Sequence, residues 1–384
     1  MIENRLLLWC VIISLLSCGC SIDVTQSTTP TPVPQINTLA GTPTGPSPLS
    51  TVSSPTRPAA GNNGPGTKIP LTWGNLNLSG KLVYIAGIVK DSDLLIDVQS
   101  LDLALGEVST IFQTPSDGWI DAAAISPDSK QLIISYSPPT TDPHGGQETL
   151  YRMPMDGSGS PQLLFAPSSP KDHNYQPVWS PDGKYVYFAQ INYQPSSTTF
   201  EVMRVAYPEG TPEKLVNGSY WPRVSEDGTR LVYVSVDPQT AVNRLYIANA
   251  DGTDSNQIPL TGPSIPVIID APMFSSDNQS IIFSAPDTGQ SSSPDWPDKL
   301  MGITTVWADG SIPSDWWSVP ITGGSPQQLT HTHSLALFGS FSPDKKYIAS
   351  YTSDEVFVMK PDGTGVTVLV SDIGGIPGTV NWIP

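Results

Sequence analysis

One short phrase recurs along this sequence and limits what the chain can fold into. It reads VWSPDGKYVYF at residues 178–188, and degenerate copies begin at Ile125, Val224, Phe274 and Phe341. Each copy contains an apolar strand end, a turn of the Ser-Pro-Asp-Gly type and a second apolar strand. Proline presets φ in such a turn, aspartate hydrogen-bonds the backbone ahead of it, and glycine accepts the left-handed conformation. The phrase therefore predicts a β-hairpin that the chain forms repeatedly.

An aspartate occupies the same turn position in every copy. These residues are Asp128, Asp182, Asp227, Asp277 and Asp344. Because whole structural units separate them, we interpret them as turn formers rather than as a catalytic or calcium-binding array.

Two further strand-like segments follow the second strand of each copy, joined by turns such as MDGSGS, NADGTD and KPDGTG. One unit is therefore predicted to be a four-stranded antiparallel meander. Second strands such as residues 132–134 are apolar at consecutive positions, so both of their faces must be covered. Neighbouring sheets stacked around an axis would cover them. A repeated unit of this kind predicts a β-propeller.

The first unit lacks the turn phrase. Residues 80–112 supply only the second, third and fourth strands of this unit. The segment PGTVNWIP at residues 377–384 reads like a first strand and can supply the missing one. Pairing of this C-terminal strand with the first blade would close the ring and remove two open sheet edges. We therefore predict an all-β fold, a six-bladed β-propeller over residues 73–384 whose C-terminal strand closes the first blade.

The motif VWSPDGKYVYF and its degenerate copies resemble the TolB-like family of six-bladed propellers, and the resemblance covers residues 73–384. It implies the fold but does not define a function. Several turns depart from the family pattern. The departures are Ser129, Asn278 and Lys345 in place of glycine, and Glu226 and Ser276 in place of proline.

The first twenty residues have the features of an export signal. Their apolar run, residues 6–16, is short for a membrane span and is followed by small residues and cysteines. The segment LLSCGC resembles the lipobox of bacterial lipoproteins, in which a cysteine is lipidated and becomes the new N-terminus. Cys18 fits that pattern better than Cys20. Residues 1–20 are thus predicted to be a lipoprotein signal peptide, with an ordinary cleaved leader as the alternative.

Residues 21–72 are rich in Ser, Thr, Pro and Gly and contain few bulky apolar side chains. Such a segment cannot offset its ordering entropy, so we predict a disordered tether. No cysteine follows Cys20, which excludes a disulfide framework in the folded part.

The charge of the chain restricts its partners. The formal net charge is −17, and residues 1–72 carry a small positive balance, so the remainder is strongly acidic. A domain of this charge repels nucleic acid and anionic lipid surfaces. We expect a monomer that is exported to the periplasm or cell surface and touches the membrane through its N-terminal lipid only.

Antiparallel meanders place the tight turns at one end of a propeller and the variable loops at the other. Aromatic side chains on loops above a rigid ring are typical of binding surfaces. The candidates at the loop-rich end are Trp119, Tyr175, Tyr220, Trp221, Trp296, Trp307, Trp316 and Trp317. They predict a surface that binds a protein or peptide of the cell envelope; alternatively, some of them cap blade edges or pack in the core.

All four histidines also fall at that end. His331 and His333 alternate along an extended segment and His173 lies on another crossover, an arrangement that could form a metal site near the central channel. Some related propeller-type lyases use such histidines, so a metal-dependent polysaccharide lyase or a saccharide-binding propeller is the alternative function. The sequence contains no other enzyme motif that we recognise, and we assign no catalytic residue and no cofactor.

Overall fold

The structure, a computed structural model, describes residues 66–90, 92–141, 146–193, 198–237, 242–286 and 312–384. Several sequence predictions lie outside these residues: the leader, the tether up to residue 65, Cys18, Cys20, His144, Trp296 and Trp307. Within the described residues the regular secondary structure is almost entirely β-strand, with a short 3-10 helix at Gly74–Leu76. No helix in this part of the chain is long and apolar enough to cross a bilayer.

Six antiparallel sheets form the fold, and each sheet is one blade. The first blade begins with β1 (Thr67–Lys68), β2 (Lys81–Lys90), β3 (Asp93–Asp102) and β4 (Glu107–Gln113). Blade 2 contains β5 (Trp119–Ile125), β6 (Gln131–Ser137), β7 (Thr149–Pro154) and β8 (Gln162–Leu163). Blade 3 contains β9 (Asp172–Trp179), β10 (Tyr185–Asn192), β11 (Thr199–Ala206) and β12 (Glu213–Asn217). Blade 4 contains β13 (Ser219–Val224), β14 (Arg230–Val236), β15 (Asn243–Asn249) and β16 (Asn256–Gln257). Blade 5 contains β17 (Asp270–Phe274), β18 (Ser280–Ala285), β19 (Asp315–Pro320) and β20 (Gln327–Gln328). Blade 6 contains β21 (Phe338–Phe341), β22 (Ile348–Tyr351), β23 (Glu355–Met359) and β24 (Thr367–Ser371), and β25 (Val380–Ile383) ends the chain.

The C-terminal strand closes the ring. β25 pairs with β2, with Trp382 opposite Leu82, so the first blade has the strand order β1-β4-β3-β2-β25. The inner strands β25, β5, β9, β13, β17 and β21 contact one another in that order, and β21 contacts β25 again. The predicted six blades and C-terminal closure are confirmed. The first blade also has an outer strand, β1, formed by residues that precede the predicted boundary at Trp73.

The recurring turn is held by the same hydrogen bonds in each copy. Ser180 Oγ donates to Asp182 Oδ1 at 2.7 Å, the Lys184 N–H donates to the same oxygen at 3.1 Å, and the Tyr185 N–H donates to Ser180 Oγ. Hydrogen bonds from the Lys184 side chain, Ser180 and the backbone lower the pKa of Asp182 to about 2. The other four turns repeat the Ser–Asp bond. The turn aspartates are therefore turn formers, as predicted.

The core lies between blades, and the second strands explain why. In β6, the side chains of Leu132 and Ile134 pack with Ile96 of blade 1, whereas Ile133 packs with Val186 of blade 3. All of these residues are fully buried. A strand covered on both faces needs consecutive apolar residues, so the unbroken apolar runs of the sequence follow from the stacking of blades.

Candidate functional site

The two ends of the propeller differ in their connections. We call the end that carries the five recurring turns the turn end. The opposite end, called the loop end, carries the connections between second and third strands and the crossovers between blades. Each first strand starts at the loop end and leads along the central channel to the turn end.

Four of the predicted contact residues are buried in the blades. Trp316, Trp317, Tyr175 and Tyr220 are each less than 10% exposed. Trp316 Nε1 donates to Ser350 Oγ of blade 6 at 3.0 Å, and Trp317 Nε1 donates to the Ala285 carbonyl at 3.1 Å. Both faces of β19 are covered by neighbouring blades, so the two adjacent tryptophans both point into the interior. These four side chains therefore hold the fold together and are not available at a surface.

Trp221 lies in the central channel and is half-buried. It has a φ of 52°, precedes Pro222 and sits at an irregularity in the pairing of β13 with β14. Its Nε1 donates to Asp270 Oδ1 at 3.0 Å, and its backbone N–H donates to Gln176 Oε1 at 2.9 Å. Its ring lies 6.0 Å from that of Phe338 in blade 6. The residue thus connects four blades across the channel, while Trp119, also half-buried, begins β5 at the loop end.

Four exposed apolar side chains lie at the loop end and were missed by sequence reasoning. Val89 is the penultimate residue of β2, Ile265 and Val267 lie on the crossover to blade 5, and Leu335 lies on the crossover to blade 6. Their exposed fractions are 69%, 39%, 48% and 37%. Hydrogen bonds place the crossovers at this end: Asn243 N–H donates to the Val267 carbonyl and Ser353 N–H to the Leu335 carbonyl. We call the four side chains the apolar arc, because blades 5, 6 and 1 are consecutive in the ring.

A buried pair of acids lies beside the channel in blade 2. Glu148 is buried and hydrogen-bonds Asp121, and Ser135 Oγ donates to Glu148 Oε1 at 2.9 Å. Burial raises the pKa of Asp121 to about 6. Burial and the charge of Asp121 raise the pKa of Glu148 well above its usual value. Oδ1 of Asp121 is enclosed without a hydrogen-bond partner among the described residues, although part of that residue stays accessible. Burial and mutual repulsion therefore favour a state in which the pair keeps a proton.

This pair gives a pH-dependent contribution to stability. A carboxyl group whose pKa is raised on folding stabilises the fold below its unfolded pKa, and this stabilisation is lost as pH rises through the folded pKa. We expect the free energy of unfolding to fall as the pH rises from the unfolded pKa values of the two acids through about 6, the pKa of Asp121, and further as Glu148 ionises. The change Glu148→Gln removes one charge and keeps a hydrogen-bonding group, so it should raise stability at pH 8 by about 1 kcal/mol. Urea unfolding at several pH values measures this.

The exposed carboxylate of Glu209 supplies the control for this experiment. Glu209→Gln removes the same charge from the surface and should leave the pH dependence as it is in the unmodified chain. Equal pH slopes for Glu148→Gln and the unmodified chain would show that the pair does not titrate in this range.

The structure gives the histidines separate partners. His173 Nδ1 accepts a hydrogen bond from the Glu148 N–H at 3.3 Å, and its ring stacks on that of Tyr175. Burial lowers the pKa of His173. His333 Nδ1 lies 3.2 Å from Asp315 Oδ2, and His331 is exposed. Among the residues that the structure describes, no group of three His, Cys, Asp or Glu side chains is placed to hold a metal ion.

Similarity to known proteins was found in structure rather than in sequence. No protein-family profile matches the chain, and no curated protein is significantly similar to it. A TolB structure from Agrobacterium tumefaciens is 20% identical, with a TM-score of 0.52 over 80% of this chain and 100% of that chain. TolB from Acinetobacter baumannii is 17% identical, with a TM-score of 0.57 over 79% of this chain and 67% of that chain. A chain of a nidogen/laminin complex is 9% identical, with a TM-score of 0.52 over 79% of this chain and 98% of that chain. At these identities the similarity concerns the fold, and the chain has the six-bladed β-propeller fold of the TolB structures, as its recurring turn phrase predicted.

Proposed function

We propose that this chain is an exported, lipid-anchored propeller that binds a protein or peptide of the cell envelope at its loop end. The observation that carries the proposal is the apolar arc. Exposed apolar side chains such as Leu105 and Val366 also lie at the turn end, so the loop end is favoured because its apolar arc lies among the variable crossovers rather than on short repeated turns. The half-buried Trp119 adds an aromatic side chain at the same end.

The charge of the chain supports a neutral or cationic partner. The formal net charge of −17 favours such partners over nucleic acid or an anionic lipid surface. The apolar arc would provide the desolvated centre of the contact, and the surrounding acidic surface would steer the partner towards it.

Two double variants with opposite locations test the surface. The loop-end variant is Val89→Asp with Val267→Asp, and the turn-end control is Leu105→Asp with Val366→Asp. The control residues are 57% and 43% exposed, comparable with the loop-end pair, and lie in third-to-fourth turns. Capture of envelope proteins by the full chain should weaken about tenfold or more in the loop-end variant, because a buried charge at a contact is costly.

The control variant should capture the same proteins as the unmodified chain. If the two double variants capture equally well, or if only the turn-end variant loses its partner, the loop end is not the contact surface.

The anchor is tested separately. We expect Cys18→Ser to abolish incorporation of a labelled fatty acid in cells, while the leader still directs export. If labelling survives Cys18→Ser and disappears in Cys20→Ser, the lipidated residue is Cys20. If the unmodified chain is not labelled either, the leader is an ordinary cleaved signal peptide.

A further inference from the structure

A cavity of about 200 Å³ lies in the central channel on the side of the turn end. Residues of the inner strands and turns of blades 2 and 3 form most of its wall, including Ile125, Pro127, Pro177, Val178 and Trp179. Arg223 reaches it from blade 4, Phe338 from blade 6 and Asn381 from blade 1. Arg223 is the single charged side chain among these lining residues.

The guanidinium of Arg223, which extends from blade 4, is held in place by two groups of blade 6. Its Cζ lies 4.3 Å from the centre of the Phe338 ring, and Nη2 donates to the Gly339 carbonyl at 3.2 Å. A planar cation stacked on an aromatic ring is pre-organised, because little rotamer entropy remains to be lost when it binds a second group.

Arg223 has no carboxylate partner among the described residues. Among these residues no Asp or Glu lies within ion-pair distance of the Arg223 guanidinium. Arg204, in contrast, pairs with Glu213. Burial lowers the pKa of Arg223 to about 10, so the group is still protonated at neutral pH. Arg223 is half-buried and lines the cavity. A partly desolvated cation without a counter-ion is unfavourable, since charges removed from water are normally paired.

Three other polar side chains of the wall already donate hydrogen bonds within the protein. Trp179 Nε1 donates to the Ala124 carbonyl, Ser180 Oγ to Asp182, and Asn381 Nδ2 to the Ala123 carbonyl. The rest of the wall consists of proline, alanine and branched aliphatic side chains and the ring of Phe338. The cavity therefore offers one anion-binding group and an apolar surface beside it.

We propose that this cavity binds a small monocarboxylate with an apolar body, whose carboxylate pairs with Arg223. A guanidinium matches the geometry of a carboxylate and can donate two parallel hydrogen bonds to it. Cavities of about 150 Å³ admit a benzene ring, so this cavity has room for a ring-sized body with its charged group. The site lies at the end opposite the apolar arc and does not depend on the function proposed for that surface.

The acidic character of the chain does not exclude an anion here. The turn carboxylates of Asp128 and Asp182 flank the cavity, and each pairs with a lysine two residues further on, at 3.9 and 2.9 Å. These exposed ion pairs partly offset the negative charge beside the cavity, and the guanidinium is the charged group that lines it.

Titration calorimetry of the full chain with benzoate tests the site, with benzamide as a neutral ligand of the same shape. Benzoate should bind at least tenfold more tightly than benzamide. Arg223→Met keeps the side-chain volume and removes the charge, so it should weaken benzoate binding at least tenfold. Arg223→Lys keeps the charge but loses the two parallel donors of the guanidinium, so its affinity for benzoate should lie between those of the unmodified chain and of Arg223→Met. Arg152→Met is the control and should bind benzoate as the unmodified chain does.

Equal affinity for benzoate and benzamide, absence of benzoate binding to the unmodified chain, or unchanged binding by Arg223→Met would each overturn the proposal. If Arg223→Met does not fold, the comparison of the two ligands on the unmodified chain and on Arg223→Lys still decides it. Binding of sulfate as tightly as benzoate would also overturn it, since the apolar wall would then contribute nothing.

Discussion

Replacing Gly80 by alanine is expected to lower the free energy of unfolding by about 3 kcal/mol. Gly80 has a φ of 83°, in the left-handed region that costs other residues about 1–2 kcal/mol. An added Cβ would also lie 2.2 Å from the carbonyl oxygen of Ile383, the last residue of β25. Because that contact is with backbone, relief requires the closing strand to shift. Urea unfolding followed by circular dichroism measures the change.

Gly375 provides a matched control for this change. Its φ of 67° is also left-handed, but an added Cβ would meet no atom within 4 Å. Gly375→Ala should therefore cost only the conformational term, about 1 kcal/mol. Equal losses in the two variants would show that Gly80 is needed for its φ alone and that the closing strand tolerates displacement.

The closing strand matters because it also connects two blades. Thr379 Oγ1 accepts a hydrogen bond from the Ala123 N–H and donates to the Ala123 carbonyl, which also accepts from Asn381 Nδ2. Trp382 Nε1 donates to the Ser79 carbonyl. A displaced β25 would therefore loosen the contact between blades 1 and 2 as well as expose the edge of β2.

The sequence was sufficient for the parts of the fold that depend on local signals. A turn such as the one around Asp182 is determined by residues that are neighbours in the chain, so its five copies identified five of the six blades. The C-terminal segment around Trp382 resembles the first strand around Trp179, and this similarity predicted that the segment completes the first blade. The turns also form without the ideal residue: Ser129, Asn278 and Lys345 adopt the positive φ that glycine has at Gly183.

The candidate site could not be predicted in the same way. Trp316 and Trp317 follow a long variable segment at the loop end, so both were predicted to be candidates for the contact surface. In a propeller both faces of a third strand are covered, and both side chains are buried. The acids Asp121 and Glu148 meet only because of how the strands of blade 2 pack, and the apolar arc lies in crossovers that have no periodic pattern.

Trp316→Ala is expected to destabilise the protein by about 3–5 kcal/mol, the range for removing a large aromatic side chain from a core. Trp316 is fully buried and packs with Met273, Leu337 and Phe357 between blades 5 and 6. Its removal would leave a cavity at that interface and the Ser350 hydroxyl without its indole donor. Thermal unfolding and near-ultraviolet circular dichroism should both register the loss.

Trp119→Ala is the matched change at the loop end, because this side chain is half-buried and packs against the edge of the core between blades 1 and 2 rather than inside it. We expect it to cost roughly 1 kcal/mol, in proportion to the smaller apolar area that it buries. If Trp316→Ala is as stable as Trp119→Ala, the interface between blades 5 and 6 is not held by this residue. If it is much less stable, a loss of partner capture in a Trp316 variant reflects a damaged ring, and only changes such as Trp119→Ala or those in the apolar arc can locate the contact surface.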